Sequence, residues 1–103
     1  MITFKQAIAE EEFVITGEIS APISAGSSEL EDKIDLLKDS VHAINITDNP
    51  GATAHMSSLA GCAIVRNKGI DPILQITCRD RNRLAIQSDL MGASALGINN
   101  VLT

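Results

Sequence analysis

Four side chains fall where a parallel sheet would present chemistry: Glu18, Thr47, Gln75 and Thr77. Glu18 stands beside Gly17, near the end of the stretch Phe13-Val-Ile-Thr-Gly-Glu-Ile. Burial raises a carboxyl pKa, and a carboxyl that keeps its proton near neutrality suits a general acid. The alternative is a strand-end glutamate paired to a base such as Arg79. Thr47, Gln75 and Thr77 can hydrogen-bond a ligand or satisfy one another. Asp48 and Asn49 read as turn residues ahead of ligands. Arg79, Arg81 and Arg83 can hold a phosphate, although ion-paired or solvated arginines are commoner. His42 and His55 read as surface residues, and Asp89 as a local cap or pair. The sequence holds no GxGxxG, no P-loop and no metal-ligand cluster.

The elements that must position these groups recur at a regular interval. Ile15, Asn45 and Gln75 hold equivalent places about 30 residues apart, the length of one βα unit. Strands are predicted over 13–19, 43–47, 73–77 and 100–102. A capping box of Thr3 and Gln6 opens a short helix over 4–10, and Ser28 with Glu31 reads as another. The helix that follows Ser28 carries Leu30, Ile34, Leu37 and Val41 on one face. The next is predicted over 53–67, with Met56, Leu59, Ala60, Ala63 and Ile64 as its apolar stripe and Gly69 ending it. Asp80 sits where an N-cap belongs before a helix over 82–96, which stops at Gly97.

Three βα units and a fourth strand imply a parallel sheet, doubly wound or rolled into a barrel. Side-chain parity separates these. Ile44 and Ile46 oppose Asn45 and Thr47, and Leu74 and Ile76 oppose Gln75 and Thr77. Phe13, Ile15 and Ile19 likewise share a face against Thr16 and Glu18. A doubly wound sheet is covered on both faces and reads apolar on both. One apolar face and one with polar groups toward the carboxyl ends favours a barrel with helices outside.

Composition narrows the function classes. The chain has 103 residues, 45% hydrophobic and 20% charged, which fits one globular domain. A net charge of −5 with 2% aromatic residues argues against a nucleic-acid partner. No run approaches a membrane span, and residues 1–6 lack the form of a signal peptide. Cys62 and Cys78 read as reduced, buried thiols of a cytoplasmic protein.

Phe13-Val-Ile-Thr-Gly-Glu-Ile, Ala43-Ile-Asn-Ile-Thr-Asp-Asn-Pro-Gly, Ile76-Thr-Cys-Arg-Asp-Arg-Asn-Arg and Leu84-Ala-Ile-Gln-Ser-Asp-Leu together resemble the N-terminal part of methylenetetrahydrofolate reductases. The likeness is greatest to the bacterial branch also found fused to homocysteine methyltransferase domains. The resemblance implies a (β/α)8 TIM barrel that binds FAD at the carboxyl ends of its strands. It implies hydride transfer from NAD(P)H to flavin and on to 5,10-methylenetetrahydrofolate. It places the general acid on Glu18 and a flavin contact on Thr47, and sets Gln75 where some members carry a flavin-contacting histidine. Family members continue past the fourth strand with a Gly-Asp whose Asp approaches flavin and folate. Residues 1–103 are therefore expected to be the N-terminal half of such a barrel, inactive alone and homo-oligomeric through its open sheet edges. The competing readings are a pterin-binding methyltransferase barrel and a non-catalytic half-barrel that docks on a partner.

Overall fold

The first three strands are each followed by a helix, and those three helices pack on one face of the sheet. The computed structural model describes residues 1–11 and 13–103. Its elements are α1 (Phe4–Glu10), β1 (Thr16–Ile19), α2 (Ser28–Leu37), β2 (Ala43–Ile46), α3 (Ser58–Asn67), β3 (Asp71–Gln75), α4 (Arg83–Ala95) and β4 (Val101–Leu102). The strands form one parallel sheet in the order β1-β2-β3-β4. Ile19, Ile46 and Leu74 lie in register and point into the core, against Leu30 and Ile34 of α2, Cys62 and Val65 of α3, and Ala93 of α4. Glu18 and Asn45, also in register, project from the opposite face, with Gln75 of β3 on the same face. The expected segregation of apolar and polar parity is therefore present.

Helix α1 forms as its capping box requires: Gln6 N–H donates to Thr3 Oγ1 at 3.1 Å, and Thr3 N–H to Gln6 Oε1 at 2.8 Å. So short a helix needs an anchor. Phe4 N–H donates to Asp71 Oδ2 at 2.7 Å, at the start of β3. The buried Asp71 carboxylate also accepts from Asn100 Nδ2 at 3.0 Å, so one side chain ties α1 and the entry to β4 onto β3.

Several boundaries differ from the sequence reading, each for a local reason. β1 begins at Thr16 rather than residue 13, because Ile15 N–H donates to the His42 ring at Nδ1 (3.0 Å) instead of continuing the ladder. Phe13 and Ile15 stay exposed and do not share the buried face of Ile19. β3 ends at Gln75 because Thr77 N–H goes to the Asp48 carboxylate at 2.8 Å. Ser27, not Ser28, caps α2, and its hydroxyl donates to Glu31 Oε2 at 2.9 Å. α3 begins at Ser58, not residue 53: Asn49 Oδ1 accepts from His55 N–H at 2.9 Å and holds the preceding residues in a loop.

The buried face of α3 also lies about one residue from the expected stripe. Ser58, Gly61, Cys62 and Val65 face the sheet, while Ala60 is exposed and Met56, Leu59 and Ile64 pack at the margin. Gly61 sets this rotation. A Cβ there would meet Ile46 Cγ2 at 2.8 Å, so only glycine lets the helix approach so closely. Asn82 caps α4 by accepting from Ala85 N–H at 2.9 Å, whereas Asp80 pairs with Arg79. Cys78, expected to be buried, is exposed on the loop after β3. Cys62 is buried, and desolvation pushes its thiol up to about 12.

Candidate active site

The polar groups at the carboxyl ends of β1, β2 and β3 form two networks. The first lies on the open sheet face. Gln75 Nε2 donates to Glu18 Oε1 at 2.6 Å and also to Asn45 Oδ1. Asn45 Nδ2 donates in turn to the Gly17 carbonyl at 3.1 Å. Gly17 and Glu18 lie on β1, Asn45 on β2 and Gln75 on β3, so the hydrogen bonds run across three strands and return to the first. Parallel register makes this possible: Glu18 pairs with Asn45, and Gln75 lies two residues beyond Ile73, which pairs with Asn45.

Glu18 is exposed, not buried as expected. Nor does it pair with Arg79. That guanidinium is held by Asp80, at 2.7 Å, and by the Asn49 carbonyl, at 3.0 Å. Glu18 borders an open depression with Ser20, Lys33 and Leu36, which leaves its carboxyl reachable from solvent.

The second network lies just beyond the strand ends. Arg81 grips Asp48 with both terminal nitrogens, Nη2 to Oδ1 at 3.0 Å and Nη1 to Oδ2. Its Nη1 also donates to the Thr77 carbonyl at 3.0 Å, and its Nε to Asp89 Oδ2 at 3.0 Å. The Asp48 side chain is 1% exposed and that of Arg81 15%. Burial opposes the charge on Asp48, but hydrogen bonds from Arg81 and Thr77 N–H outweigh it and hold the carboxyl below the usual range. Arg81 is pushed further up, chiefly by its hydrogen bonds to Asp48. This arginine is committed to the clamp and is not free for a phosphate.

The two threonines differ. Thr47 is buried, and its Oγ1 accepts from Ala21 N–H at 3.1 Å, which joins the end of β2 to the loop after β1. Its hydroxyl proton is left to donate. Thr77 Oγ1 is buried with no hydrogen-bond partner among the described residues. Such an atom costs stability unless something else satisfies it.

A family model described as methylenetetrahydrofolate reductase matches residues 3–103. The chain belongs to the methylenetetrahydrofolate reductase family. Membership places it among folate-linked oxidoreductases. Comparison with individual curated proteins finds no match. The family's stretch contains both networks. Of the expected site residues, the structure brings Glu18 and Gln75 into direct contact, and leaves Thr47 and Thr77 as separate hydroxyls at the ends of β2 and β3.

Asn45 and Asp48 of these networks were not read as site residues from the sequence. Asn45 was legible as a polar residue between two isoleucines in a buried strand, at the parity of the open face. Asp48 gave no such signal, because Asp-Asn-Pro-Gly is turn composition whatever its aspartate binds.

Proposed function

We propose that this sheet is part of a (β/α)8 barrel, with residues 1–103 as its N-terminal portion, that reduces 5,10-methylenetetrahydrofolate to 5-methyltetrahydrofolate. FAD is the proposed cofactor and NAD(P)H the donor. One observation carries the reading: in a chain of this family, a carboxyl at the end of β1 stands exposed on the open sheet face, held among the described residues by a single amide.

The residues present fit a flavin on one count above all. Thr77 offers a buried hydroxyl that the described protein atoms leave unsatisfied, as expected of a group whose partner is a ligand. Thr47 offers its remaining proton at the neighbouring strand end. These two would hold the group. When bound, flavin supplies the hydride that the folate accepts.

Glu18 does the acid's work. Its proton goes to the folate, opening the five-membered ring to an iminium that is competent to accept hydride. Only the folate half of the reaction needs this proton. Glu18→Gln should therefore abolish folate reduction while leaving flavin reduction by NAD(P)H nearly intact, as read by stopped-flow flavin absorbance in each half-reaction. Equal loss in both halves would sink the role given to Glu18.

A further inference from the structure

We infer that Gln75 is a positioning residue for Glu18, and that a relay anchored on the Gly17 carbonyl directs the acid's proton to Oε2; this rests on the reductase reading above.

The inference follows from the donor and acceptor capacity of four groups. A backbone carbonyl can only accept. Asn45 must therefore turn Nδ2 toward the Gly17 carbonyl, as it does at 3.1 Å. That choice leaves Asn45 Oδ1 facing β3, and an amide oxygen can only accept. Gln75 must then present its nitrogen, as it does. The second proton on that nitrogen goes to Glu18 Oε1 at 2.6 Å. Turning the Gln75 amide over would set its oxygen against two other oxygens. One carbonyl on β1 thus fixes the orientation of two amides on β2 and β3. The polarity returns to β1 at the residue following the glycine where it began.

The consequence concerns a single proton. Oε1 of Glu18 already faces an N–H and has no room for a hydrogen of its own along that direction. When Glu18 carries a proton, that proton sits on Oε2. The same bond restrains the rotamer of an exposed glutamate, a side chain that otherwise loses considerable freedom on being ordered. Both N–H groups of Gln75 are engaged by neighbours on β1 and β2.

Two measurements test this. The first needs no activity: the side-chain amide protons of Gln75, followed by nitrogen-15 NMR on the full chain. Glu18→Ala should shift one Gln75 proton and speed its exchange, and Asn45→Leu should do so for the other. If neither substitution moves either proton, the relay does not exist. The second is kinetic. In the flavin-loaded protein, Gln75→Leu should slow the folate half-reaction by tenfold to a hundredfold, on the order expected for a misplaced catalytic group. Flavin reduction should hold its rate. Gln75→His keeps a donor and should recover part of the loss, which restored packing alone would not explain. Asn45→Leu, one step upstream, should give a smaller loss of the same kind and serves if Gln75→Leu does not fold. Unchanged folate reduction in both variants, with Glu18→Gln inactive, overturns the relay and leaves the reductase reading standing. Full folate reduction in Glu18→Gln overturns the reading itself, whatever the NMR shows.

Discussion

Replacing Asp48 by Asn should destabilise the fold by about 3 kcal/mol at neutral pH, and the loss should fade in acid. The size follows from what the carboxylate holds. Oδ2 accepts from Thr77 N–H at 2.8 Å and from Arg81 Nη1, and Oδ1 accepts from Arg81 Nη2 at 3.0 Å. An amide of the same shape keeps one acceptor. Whichever way it turns, its NH2 faces a donor. Hydrogen bonds to charged groups contribute about 1.5–3 kcal/mol each, and breaking one side of a buried ion pair costs about 3–5 kcal/mol. The lower end applies here, because Arg81 is 15% exposed and keeps Asp89. Against a total stability of roughly 5–15 kcal/mol, such a loss is readily measured by urea denaturation.

The pH dependence has a definite sign. The folded-state pKa of Asp48 is depressed below the unfolded value, about 3.9 for a free aspartate. Between the two values the unfolded chain binds more protons, so stability rises with pH there. The contribution is complete above about pH 4 and is lost as pH falls through the depressed value. Asp35 and Asp80 are also lowered, but both keep their carboxylates in the variant, so subtracting variant from parent removes them. The gap between parent and Asp48→Asn should narrow steadily below about pH 4. A gap that stays constant from pH 7 to pH 3 would refute the ion-pair account. A cycle with Arg81→Met adds a second check: coupling under about 0.5 kcal/mol would show that the two residues act independently.

Thr77→Val should weaken flavin binding by about 1 kcal/mol while leaving the unliganded chain as stable or more so, since it removes a buried unsatisfied hydroxyl; isothermal titration and denaturation read the two effects separately. Gly61→Ala should cost about 1–3 kcal/mol, because the added methyl meets Ile46 at 2.8 Å, and a neutral result in thermal denaturation would show that α3 can back away from β2. Cys78 should react rapidly with a thiol reagent, whereas Cys62, buried and pushed up to about 12, should react only as the protein unfolds; two equal fast phases would contradict its placement.

The alternation of side chains was legible because it depends on a period of two and little else. Asn45 between Ile44 and Ile46, and Gln75 between Leu74 and Ile76, showed which face each would take before any coordinate did. The start of α1 was legible for a similar reason: Thr3 and Gln6 satisfy each other within four residues. What escaped was decided by partners distant in sequence. The end of β3 is set by Asp48, 29 positions away from Thr77, and the start of β1 by the His42 ring, 27 positions from Ile15. The turn of α3 about its axis is set by how closely Gly61 meets Ile46. A hydrophobic stripe read as Met56, Leu59, Ala60, Ala63 and Ile64 contains no information about that approach. The place of Glu18 on the polar face of β1 was legible, but its exposure was not, since exposure depends on what else lies over the sheet.

The two networks share strands but divide their tasks, and the division explains why Asp48 rather than Glu18 carries the buried charge. Asp48, Thr77 and Arg81 close the gap between the ends of β2 and β3 and fasten both to α4 through Asp89. Both oxygens of the buried Asp48 carboxylate accept from charged or backbone donors, which a buried carboxylate requires. Asn45 and Gln75 sit on those same two strands, two to three residues before the clamp. The spacing between β2 and β3 that the clamp preserves is the spacing that the Gln75–Asn45 contact needs. Among the described residues, Glu18, on the edge strand β1, is reached through that pair of amides and stays open to solvent. The acid role proposed for Glu18 fits this arrangement, because an ion pair as tight as that of Asp48 favours the charged form of a carboxyl.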